Sequence, residues 1–138
     1  MTDHLKYSGF TLIELLVVLA IIGLLAGLVG PQVMKQLSGA KSKTAKVQIS
    51  DLSQAMDMYR LDVGSYPSSD QGLAALVANP GDINSWNGPY LSKVPKDPWN
   101  NEYLLRSPGE HGNFDLYSLG LDNTQGGEGE NRDVTSWE

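Results

Sequence analysis

The stretch GFTLIELLVVLAIIGLLAGLVG, residues 9–30, places one acid, Glu14, at the head of an otherwise apolar run, and no charged residue follows from Leu15 through Met34. A bilayer core needs about 20 apolar residues in a helix, so Leu15 to Met34 is long enough to span one. A secretory signal has a shorter apolar region that ends in its own small-residue cleavage site. Here the short polar leader, Met1 to Gly9, precedes the run, and a cut after it would leave the apolar segment on the mature chain. A charged side chain in the middle of a membrane helix costs about 2.5–3.5 kcal/mol on insertion scales, and such groups usually face a protein partner. Glu14 therefore marks a contact that requires a counter-charge.

Gly9, Phe10, the Glu four residues beyond it and the following VVLAIIGLLAGL resemble the N-terminus of type IV pilins and pseudopilins. YPSSDQGLAAL, GPYLSKVPKDPWNNEY and FDLYSLGLD extend the resemblance across nearly the whole mature chain, toward the major pseudopilin family of type II secretion systems. The resemblance implies that a prepilin peptidase cuts between Gly9 and Phe10 and that the new α-amine of Phe10 is methylated. That amine would lie one helical turn, about 6 Å, from Glu14. The charges can pair within one chain or between neighbouring copies. The resemblance implies the second, a homo-oligomeric helical filament, and heterologous contacts that do not close give filaments rather than rings.

The charge distribution around the span runs against this orientation. The leader carries Lys6 and His4 against Asp3, whereas Lys35, Lys41, Lys43 and Lys46 follow the apolar segment. A positive-inside count would place the N-terminus outside, but the processing motif requires the leader at the cytoplasmic face, and the motif is followed. Gly23, Gly27, Gly30 and Pro31 allow close helix packing and invite a kink or local melting at Gly30-Pro31.

The expected organisation is a cleaved leader at 1–9, a transmembrane or filament-core helix at 10–34, and a periplasmic domain at 35–138. With 10 Lys and Arg against 16 Asp and Glu, the formal charge is −6, which argues against nucleic acid as a partner. The lysines after the span read as a solvated helix face. The chain lacks cysteine, so no disulfide braces the domain, and a bound ion is the other usual brace for a small core.

Ala45, Ile49, Leu52, Met56, Tyr59 and Val63 recur at steps of four and three, one stripe of a helix that Ser38-Gly39 would loosen near its start and Gly64 would end. A short helix is expected at Gln71 to Val77. Strands are expected at Glu102 to Arg106 and Phe114 to Ser118, with Phe114, Leu116 and Ser118 on one face and Asp115 and Tyr117 on the other. Gly109 to Asn113 turns the chain between them. Trp86, Tyr90, Trp99 and Tyr103 read as core plugs in preference to a carbohydrate-binding platform. The fold class is α+β: a long N-terminal helix packed on a small antiparallel sheet, with a calcium-binding C-terminal loop.

Residues 119–133, LGLDNTQGGEGENRD, combine oxygen donors with glycines, a composition suited to wrapping a hard cation. An EF-hand is a poor fit, because counting from Asp122 the third and fifth positions are Thr124 and Gly126. The resemblance implies calcium held by the backbone carbonyls of Leu119 and Thr124 and the side chain of Asp122. Gly129 and Asn131 stand where some family members have aspartate. Asn131 retains an amide oxygen, and Asp133 or Glu128 would restore charge.

The two histidines, His4 and His111, have no neighbouring nucleophile pattern, so an enzyme is disfavoured. The function implied by the resemblance is that of a structural subunit of a secretion pseudopilus. Its partners would be further copies, minor pseudopilins, an inner-membrane assembly platform and the prepilin peptidase. The competing reading is a type IV pilin for adhesion or DNA uptake. Pilin adhesins often carry a C-terminal cysteine pair, which this chain lacks.

Overall fold

A computed structural model describes residues 8–138. The leader positions Met1 to Tyr7, including Asp3, His4 and Lys6, lie outside the described residues. Helix α1 spans Leu12–Val63 and begins where Thr11 caps it: the Glu14 amide donates to Thr11 Oγ1 at 3.3 Å. The helix is unbroken through Gly30-Pro31 and Ser38-Gly39. Proline removes one main-chain donor, and the bonds on either side keep the turn helical, so the expected melting does not occur. Gly64 ends α1 with a left-handed φ of 94°, a conformation glycine enters freely, and its amide closes on the Arg60 carbonyl at 2.8 Å.

The chain divides into two units, 1–37 and 38–138. In the first, the described apolar side chains are exposed, Phe10, Leu12 and Leu28 each by more than 70%. Such a surface requires lipid or protein around it. The second unit has its own core. Ala45, Ile49, Leu52, Met56 and Tyr59 are buried with Leu76, Trp99, Tyr103, Leu116 and Val134. The expected stripe is the buried face, with Ala55 added and Val63 at its edge.

The sheet is antiparallel in the order β1-β2-β3, with β1 at Leu104–Arg106, β2 at Asp115–Ser118 and β3 at Val134–Thr135. Leu105 pairs with Leu116, and Tyr117 pairs with Thr135. Strand β1 is shorter than the expected Glu102 to Arg106, because Glu102 makes only an isolated bridge to Lys96. The helix expected at Gln71 to Val77 is a single 3₁₀ turn, Leu73–Leu76. The alternation expected along β2 fails at Asp115, which is buried together with Leu116 and Ser118. The cause is its hydrogen bonding to the preceding hairpin, described below.

The aromatic residues plug the core. Trp86 donates its indole N–H to the Ala75 carbonyl at 2.9 Å, and Tyr90 meets both Trp86 and Tyr59 edge-to-face. The Tyr90 hydroxyl donates to Asp62 at 2.7 Å, fixing the loop to α1. Tyr103 is buried and its hydroxyl bonds Gln48 on the helix. Burial, reinforced by the charge of Asp97, pushes its pKa upward.

Candidate functional site

Two places answer to the expected site residues, and each is considered within its own unit.

The first is the start of α1. Thr11-Leu12-Ile13-Glu14 has the Ser/Thr-x-x-Glu form of a capping box, a signal that the carboxylate argument alone passes over. The observed cap bond fixes the first turn and places Glu14 at its third helical position, next to the free N–H groups of the helix end. A carboxylate there gains about 0.3–1 kcal/mol from the helix dipole. A charge in the middle of a span costs about 2.5–3.5 kcal/mol, whereas Glu14 lies in the first turn of the helix, at the head of the apolar run. Local capping is thus one role of Glu14 that needs no partner chain. Gly9, Phe10 and Glu14 are all exposed.

The second place is the loop at 119–133, which is closed by its backbone. The Leu121 amide donates to the Glu130 carbonyl at 2.9 Å. A Cβ on Gly120 would lie 2.6 Å from the Glu130 carbonyl oxygen and 2.9 Å from that of Arg132. Gly120 also has a φ of 74°, so glycine is required there on two counts. The base of the loop is fixed from below by the buried Asp97, which accepts the Ser118 hydroxyl at 2.6 Å and the amides of Trp99 and Asn101. The Asn101 side chain then donates from Nδ2 to the Gly120 carbonyl at 3.1 Å. On the helix side Lys41 meets Glu130 at 3.8 Å.

The expected cation ligands are not brought together but lie in three places. Asp122 and Thr124 form an exposed turn in which the Thr124 amide donates to Asp122 Oδ1 at 3.1 Å. Leu119 and Asp133 line a cavity of about 180 Å³ with Gln125 and Thr135. Asn131 is exposed outside that cavity, its carbonyl against Gly127. Asp133 Oδ2 accepts the Gly126 amide at 3.0 Å, whereas its Oδ1 is buried and has no hydrogen-bond partner. Among the described residues no three His, Cys, Asp or Glu side chains are grouped as metal ligands. A cation here would take mixed donors: carboxylate, amide and backbone carbonyl oxygens. Such hard donors suit calcium rather than a thiolate- or imidazole-seeking metal. The orphan carboxylate oxygen of Asp133 fits that requirement.

Beside the loop, Asp115 organises the β1–β2 hairpin, a role the sequence pattern did not reveal. It accepts the Glu110 amide at 2.9 Å and the His111 ring at 3.0 Å, and His111 stacks on Trp137 with ring centres 4.1 Å apart. Burial alone would raise the Asp115 carboxyl. Hydrogen bonds from the His111 ring and from the Glu110 and His111 amides outweigh it and hold the pKa below the usual carboxylate range. A depressed folded pKa contributes stability that is complete above the unfolded value and is lost as pH falls through the folded one. Asp115→Asn is expected to remove that acid-side slope below about pH 4. Chemical denaturation at stepped pH checks this, and an unchanged slope would contradict it.

Comparison with known proteins follows the same lines. Residues 32–137 match the family described as Type II secretion system (T2SS), protein G, and residues 5–30 match the Prokaryotic N-terminal methylation motif. The chain is 49% identical over 137 residues to the type II secretion system core protein G of Pseudomonas aeruginosa, covering 96% of each. It is 44% identical to that of Vibrio cholerae serotype O1, covering 96% of this chain and 92% of the relative. The crystal structure of the major pseudopilin from the type 2 secretion system of enterohaemorrhagic Escherichia coli superposes with a TM-score of 0.65 at 32% identity. That match covers 75% of this chain and 88% of the other.

Proposed function

Because this chain belongs to the type II secretion system protein G family, we propose that it is the major subunit of a periplasmic pseudopilus that helps push folded exoproteins across the outer membrane. A prepilin peptidase cuts between Gly9 and Phe10, the Phe10 amine is methylated, and the subunits leave the inner membrane to stack as a helical filament. Minor pseudopilins and an inner-membrane assembly platform are its other partners. The chain does structural work, and the energy comes from a separate assembly ATPase. The adhesion or DNA-uptake reading is set aside, because the family match extends through the C-terminal unit and not only the shared N-terminal motif.

The observation that carries this reading is the head of α1: a capped first turn holding Glu14 close behind Phe10, before an apolar segment whose described side chains are exposed. A polymer core would cover that segment once it leaves lipid, and the Phe10 amine of a neighbouring copy would neutralise Glu14. Intact-mass and N-terminal peptide spectrometry of the assembled form tests the processing step. The expected chain starts at Phe10 with one added methyl group. A filament built of chains that retain Met1 to Gly9 would overturn the proposal.

We also read the C-terminal loop as a calcium site. Leu119 and Thr124 would contribute carbonyl oxygens, and Asp122, Asn131 and Asp133 side-chain oxygens. The cation would supply positive charge that ties the loop's oxygens together. The loop's own part is done by Gly120 and Gly127, which let residues 130–132 approach closely enough to close it.

A further inference from the structure

Strand β1 is an edge of the sheet, and its backbone shows which groups that edge leaves open. In an antiparallel ladder, two opposed residues turn their N–H and C=O groups either toward each other or away from each other. Leu116 donates its N–H to Ser136 Oγ at 3.0 Å and accepts the Ser136 N–H at 2.8 Å, so both groups face the β3 side. Its opposite number, Leu105, therefore turns its own N–H and C=O outward, away from β2. Among the described residues no loop backbone meets either group.

The same edge is closed on both sides of Leu105. Ser69 accepts the Ser107 N–H at 2.8 Å through its hydroxyl and donates its amide to the Ser107 carbonyl at 3.2 Å. At the other end the Asp97 amide donates to the Asn101 carbonyl at 2.8 Å, beside the antiparallel bridge of Lys96 to Glu102. The next opposed pair is Pro95 and Tyr103, and proline has no N–H to offer the edge. Between these two closures lies a cleft of about 470 Å³, walled by the half-buried Val94, Pro95, Leu104 and Leu105 and by the turn that carries Ala74. Lys96 and Glu102 stand opposite each other at its mouth, so their charges balance.

These features define one occupant. The outward N–H and C=O of Leu105 are complemented by the C=O and N–H of a single residue of extended chain, and the apolar walls by an apolar side chain on that residue. The balanced charges at the mouth call for a segment without charge. Water would satisfy the two backbone groups but would leave the apolar walls uncovered.

We propose that the cleft beside β1 is a docking slot for a short, extended, uncharged segment of a partner protein, which adds to the sheet opposite Leu105. Backbone hydrogen bonds of this kind supply affinity, and the pocket for the side chain supplies selectivity. The slot lies wholly within the C-terminal unit and is independent of the loop at 119–133.

The test titrates the full-length chain in detergent with the capped peptide acetyl-Ser-Thr-Val-Thr-Ser-amide and follows backbone amide resonances. Saturable shifts are expected at residues 69–74, 94–96 and 103–105, with slowed hydrogen exchange at the Leu105 amide. The same peptide N-methylated at its valine keeps the side chains but loses the donor and holds the backbones apart. It is expected to bind at least about ten-fold more weakly. Ala74→Arg, a change at an exposed position on the cleft wall, should keep the wild-type melting temperature and abolish the shifts. Equal binding of both peptides, shifts outside the cleft, or wild-type binding by Ala74→Arg would each overturn the proposal. So would the absence of any shift in the wild type. The same shifts on raising the protein concentration without peptide would give the slot to a second copy of this chain and overturn a separate partner.

Discussion

Glu14→Val should yield a chain that inserts in the membrane and is cut after Gly9 but forms almost no filaments. Valine raises the apolarity of the span, so insertion is unharmed. The Gly9-Phe10 junction is untouched. What is lost is the partner of the Phe10 amine. Breaking a buried ion pair by removing one member costs about 3–5 kcal/mol, because the remaining charge stays buried alone. At about 1.4 kcal/mol per ten-fold, that is more than a hundred-fold in affinity at each subunit contact. Weaker contacts repeated along a polymer leave the subunits in the membrane.

The competing explanation for Glu14 is its position at the capped start of α1. If the acid only complemented the helix dipole, the loss would be about 0.3–1 kcal/mol, and filaments would still form at reduced yield. Glu14→Gln separates charge from shape, since it keeps the size and hydrogen-bonding capacity and drops the charge. Both variants are expected to be assembly-defective. Shearing followed by immunoblotting quantifies the filaments, and mass spectrometry of the membrane fraction verifies processing. Wild-type filament levels in either variant would defeat the charge-pair argument.

The head of the chain was legible because its signals are local. An uninterrupted apolar run and an apolar stripe at helical spacing each state their structural consequence within a few residues. Gly64 and the Ala45-to-Tyr59 stripe were readable for the same reason. Strand β3 was not, since two residues carry no periodicity and only pairing with Tyr117 and Ser118 makes Val134–Thr135 a strand. Asp115 broke the expected alternation because its partners are amides and a ring in the adjacent hairpin, which no period-two pattern encodes. The role of Asp97 likewise depends on Ser118, remote in sequence. For the loop, composition displayed the oxygen donors but not which of them lack partners. That distinction between Asp133 Oδ1 and its hydrogen-bonded twin arises only when the backbone closes.

Chelation is expected to lower the melting temperature of the full-length chain by about 10–20 °C when calcium is otherwise present near 100 times its Kd. Ligand at that ratio stabilises the native state by about 2.7 kcal/mol. One kcal/mol moves the midpoint of a domain of 60–100 residues by about 4–8 °C. The C-terminal unit, 38–138, is close to that size. Asp133→Ala should abolish the calcium-dependent part of the melting temperature. In chelator the same variant loses the Gly126 hydrogen bond to Oδ2 but also the orphan Oδ1. Its melting temperature there should fall by only a few degrees, because the two changes oppose each other. A merely structural Asp133 predicts the reverse: the same loss with and without calcium, and no effect of chelator on the wild type. In that case the closure made by Gly120, Leu121 and Glu130 alone would hold the loop, and the calcium assignment would be withdrawn.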